Sequence, residues 1–203
     1  MNSPDSEGWT PLSWAAHRGW ERTCSVLLDR GANVDSLDTA GRTPLSRAAL
    51  SQACEETTIC KLLLDKGANV DSADSTGRTP LSFAAGTARK EALCQLLLNS
   101  GANVNLPDSE GWTPLSWAAY RGLPRICSVL LDRGANVDSP DPKGQTPLSL
   151  AAEQGWERTS ELLLERGANV NLADSEGRTP LWYATSGGRT QVYNILKIKG
   201  GAE

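Results

Sequence analysis

The chain has 203 residues, with 20 lysines and arginines against 24 aspartates and glutamates, for a net charge of −4. A mildly acidic chain with neither sign gathered into a block argues against a nucleic-acid groove, which needs a basic surface. No stretch approaches the roughly 18 apolar residues of a membrane span, and the N-terminal Met-Asn-Ser-Pro-Asp lacks the basic and apolar regions of a secretory signal.

From Thr10 onward the chain repeats itself. Thr-Pro steps fall at Thr10, Thr43, Thr79, Thr113, Thr146 and Thr179, at intervals of 33, 36, 34, 33 and 33 residues. Such a period marks stacked supersecondary units that cannot bury their apolar faces alone. An array of this kind grows as one body, so a single domain is expected.

Residues 5 to 37 show what one unit contains. Thr10 is placed to cap a helix whose first residue, Pro11, lacks the amide hydrogen that a helix start leaves unpaired. Leu12, Ala15 and Ala16 give that helix a slim apolar face, and Gly19 ends it. Cys24, Val26, Leu27 and Leu28 form the face of a second helix, which Gly31 closes through a left-handed cap. Val34, Asp35, Asp38 and Gly41 then make a turn-rich bend into the next Thr-Pro. The expected class is all-α, with helical hairpins joined by bends.

Six copies of Asp-x-x-Gly-x-Thr-Pro-Leu, most of them continuing through Ala-Ala to Leu-Leu-x-x-Gly-Ala-Asn-Val, resemble the ankyrin repeat over nearly the whole chain. The resemblance implies an all-α ankyrin repeat solenoid of six helix-turn-helix repeats. Their bounds are 5–37, 38–73, 74–107, 108–140, 141–173 and 174–203, the last a C-terminal cap. One departure is systematic: the family's histidine after Thr-Pro-Leu is here Ser13, Ser46, Ser82, Ser116 and Ser149, with Trp182 last, so weaker units are expected. This serine usage resembles arrays of filamentous fungi that sit behind a signalling NTPase domain.

The copies are unequal. Residues 5–38 and 108–141 differ only at His17/Tyr120, Trp20/Leu123, Glu21/Pro124, Thr23/Ile126 and Leu37/Pro140, as recent duplication would produce. Repeat 2 carries extra residues around Gln52, Ala53 and Cys54, and repeat 3 one near Ala88. Both also lack the loop glycine, so local irregularity is expected there. The C-terminal end places Lys197 where other copies have a core leucine, whereas repeat 1 keeps the internal pattern. Repeat 1 should therefore belong to a longer stack, fray, or dock on something.

Little here suits catalysis. His17 is the one histidine, in a slot held elsewhere by Tyr120, Glu153 and Ser186, and no phosphate-binding glycine loop occurs. The paired aspartates, as at Asp71 and Asp74, lie three apart with no closing glutamate, which fits turn formation and not a calcium loop. Cys24, Cys60, Cys94 and Cys127 share one slot, as a buried column of small apolar side chains would. Neighbours about 8–10 Å apart are too distant for zinc or a disulfide. Cys54 is the candidate for an exposed, oxidisable thiol.

What varies between copies should carry function. One ladder precedes each capping threonine: Trp9, Arg42, Arg78, Trp112, Gln145 and Arg178. A second lies along the first helices and includes Trp14, His17 and Arg18, then Arg47 and Phe83, then Trp117, Tyr120 and Arg121, then Leu150 and Tyr183. Tryptophan, tyrosine and arginine dominate binding hot spots. Trp9 and Trp112, at bends, are expected to be exposed.

The expected function is a non-catalytic, monomeric protein-interaction module without cofactor or metal, in the cytoplasm or nucleus. It would bind another protein, not nucleic acid or membrane, through the concave helix face and bend tips. Two alternatives come with the resemblance. The array is the regulatory part of a larger signalling NTPase, or it is the substrate of an asparaginyl hydroxylase acting at Asn105 and Asn171.

Overall fold

The computed structural model describes residues 2–51 and 57–200. The irregular segment around Gln52, Ala53 and Cys54 falls outside them. Among the described residues there are twelve helices and no strand. Residues 1–103 and 104–203 form two compact units.

The first unit holds α1 (Pro11–Arg18) and α2 (Glu21–Asp29), α3 (Pro44–Leu50) and α4 (Thr58–Asp65), and α5 (Pro80–Ala85) and α6 (Glu91–Asn99). The second holds α7 (Pro114–Tyr120) and α8 (Pro124–Asp132), α9 (Pro147–Gln154) and α10 (Glu157–Glu165), and α11 (Pro180–Ser186) and α12 (Thr190–Ile198). Within the first unit α1 packs on α3 and α3 on α5; within the second α7 packs on α9 and α9 on α11. Each is thus a layered stack of helix-turn-helix hairpins. No helix is long and apolar enough to cross a membrane among the described residues.

The caps follow the sequence signals. All six first helices have threonine at the N-cap with proline next, and each threonine side chain accepts the backbone N–H three residues on. Such a cap is worth about 1 kcal/mol. The serine standing where the family has histidine turns inward to this cap: Thr10 and Ser13 hydroxyls lie 3.1 Å apart, Thr113 and Ser116 3.0 Å. These serines are buried and bonded within their own turn. What the family ties with imidazole is here tied with a short hydroxyl pair.

Leu12, Leu45, Leu81, Leu115, Leu148 and Leu181, each at most 1 % exposed, form the core of the first-helix layers together with the alanine pairs beside them. Alanine at those places leaves room for the helices to approach closely. Leu63, Leu97, Leu130 and Leu163 are fully buried on the second helices. Burying each leucine contributes about 2 kcal/mol. Cys24, Cys60, Cys94 and Cys127 are buried, and burial pushes the Cys94 and Cys127 thiols up to about 12. Cys94 and Cys127 are therefore protonated packing groups at neutral pH. Ser160 takes the same slot in repeat 5 and leaves its buried hydroxyl without a partner.

Repeat 3 shows what the missing loop glycine entails. Gly122 and Gly188 adopt φ of +67° and +66° between their two helices. Arg89 occupies the corresponding place at φ +65°, the one non-glycine residue with positive φ among those described. A side chain there costs about 1–2 kcal/mol. The irregularity expected near Ala88 thus takes the form of a left-handed backbone at Arg89.

Candidate functional site: the aspartate-anchored side-chain ladder

Each bend opens with an aspartate whose carboxylate organises everything around it. Asp38 accepts the backbone N–H groups of Ala40 and Arg42 on Oδ1 at 2.8 and 2.9 Å. Asp74, Asp108, Asp141 and Asp174 repeat this pattern, which is an Asx-type turn extended by one further bond. The aspartate amide then donates to the carbonyl of the residue before the threonine, as from Asp38 to Arg42 at 3.1 Å, and closes the loop.

The second carboxylate oxygen faces the first helix, nine residues further along. There it meets the variable position: Trp14 Nε1 donates to Asp5 at 2.8 Å, Arg47 Nε to Asp38 at 2.6 Å, Trp117 Nε1 to Asp108 at 2.8 Å, and Tyr183 Oη to Asp174 at 2.6 Å. Where that position is Phe83, the donor comes from the preceding repeat instead, through Arg42 Nε to Asp74 at 3.3 Å. The carboxylates of Asp38, Asp74, Asp108 and Asp174 lie in residues no more than 7 % exposed, and each accepts side-chain and backbone hydrogen bonds, as a buried polar group must.

The two ladders expected from sequence are therefore one. Trp9 stacks on Trp14 with ring centroids 4.3 Å apart and meets His17 edge-on at 5.2 Å, while the Arg47 guanidinium covers its ring at 3.7 Å. Arg78 lies over Phe83 at 4.4 Å, and Arg42 reaches the same ring at 5.8 Å. In the second unit Trp112 packs on Trp117 at 4.7 Å and on Tyr120 at 5.1 Å. Gln145 Nε2 donates to Tyr183 Oη at 2.7 Å, and Arg178 donates to Asp174 at 2.7 Å.

This arrangement corrects two expectations. Trp9 and Trp112 are half-buried, because the bend folds each indole back over its own first helix. Phe83, Leu150 and Tyr183, read as members of the open stripe, are 3, 2 and 4 % exposed and belong to the core. Left in the open are Trp14 at 39 % and Arg18 in the first unit, and Arg121 and Trp182, the latter at 46 %, in the second. His17, Arg42, Arg47, Arg78, Trp117, Tyr120, Gln145 and Arg178 are half-buried with one edge accessible.

Tyr183 and Asp174 perturb one another. Burial raises Asp174, but the hydrogen bonds from Tyr183, Arg178 and the bend amides outweigh it and hold the carboxyl down at about 2. Burial, then the hydrogen bond to Asp174, pushes the Tyr183 phenol up to about 12. Both stay in their paired forms throughout the neutral range, so the pair supplies rigidity and no proton chemistry near pH 7.

Asn105 and Asn171 sit in the turns after the second helices α6 and α10. Asn105 Oδ1 accepts from the Asn136 amide at 2.9 Å and its Nδ2 donates to the Gly134 carbonyl at 3.2 Å. Asn171 Nδ2 donates to Gly200 at 3.1 Å. Both residues are exposed, yet their amides tie successive turns together.

A chain of this geometry is an ankyrin stack, and comparison with known proteins agrees. The family description "Ankyrin repeats (3 copies)" matches residues 1–74, 50–141 and 126–203, so the chain belongs to the ankyrin repeat family. It is 50 % identical over 46 residues to Rabankyrin-5 of Homo sapiens, covering 23 % of this chain and 4 % of that protein. It is 40 % identical over 43 residues to Protein phosphatase 1 regulatory subunit 12A of Mus musculus and of Rattus norvegicus, covering 21 % of this chain and 4 % of those proteins. The matched segment thus spans only a small part of each relative's length. Members of the family are generally non-catalytic modules of protein–protein interaction.

Proposed function

We propose that this chain is a recognition module that holds a partner protein against the edge of its aspartate-anchored ladder. The observation that carries this reading is the way bend carboxylates, exposed at Asp5 and buried at Asp38 and Asp108, fix large variable side chains. Trp14, Arg47 and Trp117 are oriented by a bond to a bend aspartate, so partner binding would cost little side-chain entropy. The contacts are Trp14, Arg18 and Arg121, with the accessible edges of Trp9, His17, Arg42, Arg47, Arg78, Trp112, Trp117, Tyr120, Gln145 and Arg178 around them. The likeness of a short segment to a phosphatase regulatory subunit is in keeping with an array that positions another protein.

This reading is preferred to the two alternatives drawn from sequence, a regulatory array within a larger signalling NTPase and a hydroxylation substrate at Asn105 and Asn171. The ladder needs no attached enzyme to bind, and both asparagine amides are engaged in inter-turn bonds that a modifying enzyme would first have to open. The test is site-specific photo-crosslinking. A crosslinking residue at Trp14 or Arg121 should trap one partner repeatedly, and the same residue at Asn105 should not. Equal trapping at Asn105 would move the interface off the ladder.

A further inference from the structure

The arginines of the ladder are concentrated in the first unit, and their surroundings turn them into a positive rim. Arg42 Nε donates to Asp74 at 3.3 Å, and Arg47 gives both Nε and a terminal nitrogen to Asp38. The two aspartate side chains are 1 % and 0 % exposed, whereas the Arg42 and Arg47 side chains keep 30 % and 12 % of their surface open. Each ion pair therefore turns its negative end into the protein and its positive end outward.

Aromatic rings hold the same groups flat. The Arg47 guanidinium lies 3.7 Å above the Trp9 ring, Arg78 and Arg42 lie over Phe83 at 4.4 and 5.8 Å, and Arg18 lies over the exposed Trp14 at 5.8 Å. A guanidinium stacked on a ring and bonded through Nε has its plane fixed, and its remaining N–H groups form a fork that matches a carboxylate. The Arg18 side chain and the Arg42 terminal nitrogens make no hydrogen bond or ion pair among the described residues. The exposed Asp5 carboxylate is occupied by the Trp14 indole and the amides of Glu7 and Trp9, so it does not neutralise Arg18.

The corresponding positions of the second unit are built otherwise. Gln145, Leu150 and Glu153 stand there in repeat 5, and Arg178 spends its charge on Asp174 and Glu176 at 2.7 and 3.0 Å. A row of outward guanidinium groups is thus particular to the first unit's ladder, and the repeat itself does not require it.

On the reading that the ladder is the recognition surface, we propose that the rim of the first unit takes an acidic segment of the partner protein. Its carboxylate side chains pair with Arg18 and Arg42, and the stacked Arg47 and Arg78 add positive potential beside them. Charge-assisted bonds to a pre-oriented guanidinium are the strong kind, and the buried aspartates keep the arginines in place before the partner arrives.

The probe is a decapeptide alternating glutamate and glycine, titrated into the full chain and followed through the arginine Nε–Hε resonances by NMR. At about 50 mM NaCl the Arg18 and Arg42 resonances should shift to saturation, and affinity should fall at least about tenfold by about 300 mM, as screening of exposed charges requires. Arg18→Gln with Arg42→Gln should cost at least about tenfold in affinity. Arg22→Gln with Arg30→Gln on α2, which carries the same net charge, should cost about twofold or less. Because Arg42 also neutralises Asp74, Tm is recorded alongside; Arg18→Gln alone, whose side chain anchors nothing, should still cost about threefold. Equal binding by the two double variants overturns the proposal, and so does a lysine–glycine decapeptide that binds as well as the glutamate one. A partner segment trapped by a crosslinker at Trp14 that carries no acidic side chain overturns it while leaving the ladder as the recognition surface. Trapping at Asn105 instead, with the glutamate peptide still held by Arg18 and Arg42, overturns the ladder reading and leaves the charge preference standing.

Discussion

The joints between successive repeats are built differently in the two units. In the second unit Gly122 and Gly155 leave a bare backbone on which Trp156 and Arg189 lie flat while donating to a helix-end carbonyl. In the first unit the His17 carbonyl is taken by the Ser51 hydroxyl at 2.6 Å, the Ser51 carbonyl by the buried Lys90, and the left-handed turn by Arg89. The carbonyl must be satisfied in both, because a helix end leaves it without an intrahelical partner. What differs is the means: a planar donor over glycine in the second unit, a hydroxyl or an ammonium in the first, even at His17, where Gly19 makes the left-handed turn.

The comparison breaks most sharply at glycine. Gly122 and Gly188 share the same φ, but a Cβ at Gly122 meets the Trp156 ring whereas one at Gly188 meets nothing within 4 Å. Gly122→Ala should cost about 3 kcal/mol, and Gly188→Ala only the backbone cost of about 1 kcal/mol. Urea unfolding of the two variants measures the difference; equal losses would mean that the Trp156 contact contributes nothing.

A smaller effect should follow acid titration of the second unit. Asp174, held at about 2, stabilises the fold fully above the ordinary aspartate range and loses that contribution as pH falls from about 4 toward 2. Tyr183→Phe removes one of its donors and should cost about 1–2 kcal/mol at pH 7, with a shallower decline on acidification. Urea midpoints at pH 7, 4 and 2.5 check the sign: parallel declines in the two proteins would rule out the Asp174–Tyr183 bond as a source of acid sensitivity.

The smallest effect has the opposite direction. Arg89→Gly relieves the left-handed strain of repeat 3 and should stabilise by about 1 kcal/mol, in spite of the extra freedom of the unfolded chain. A lower melting temperature for the variant would show that the arginine side chain contributes more than its backbone costs.

Much of this was legible residue by residue. Threonine-proline starts, glycine ends, the alanine pairs and the cysteine column each act through contacts within a few residues or at one slot in the repeat, and they stand in the structure as the sequence implies. The ladder was half legible. Its members were visible as the positions that vary, but which of them are open depends on the bend folding back nine residues, which sets Trp14 outward and Tyr183 inward on the same kind of carboxylate bond. The inter-repeat tether through Trp156 was not legible, because one glycine and one tryptophan 34 positions apart carry no pattern until the repeats are stacked.

The central claim is that recognition uses the exposed rim of the ladder, with Trp14, Arg18 and Arg121 as its open contacts. The most direct measurement is the affinity of the crosslinked partner, once isolated, for the Arg18→Ala, Arg121→Ala double variant, with Tm recorded alongside. Affinity should fall at least about tenfold, the loss of one hot-spot contact, with Tm unchanged within about 2 °C. Undiminished affinity at unchanged Tm would contradict the claim.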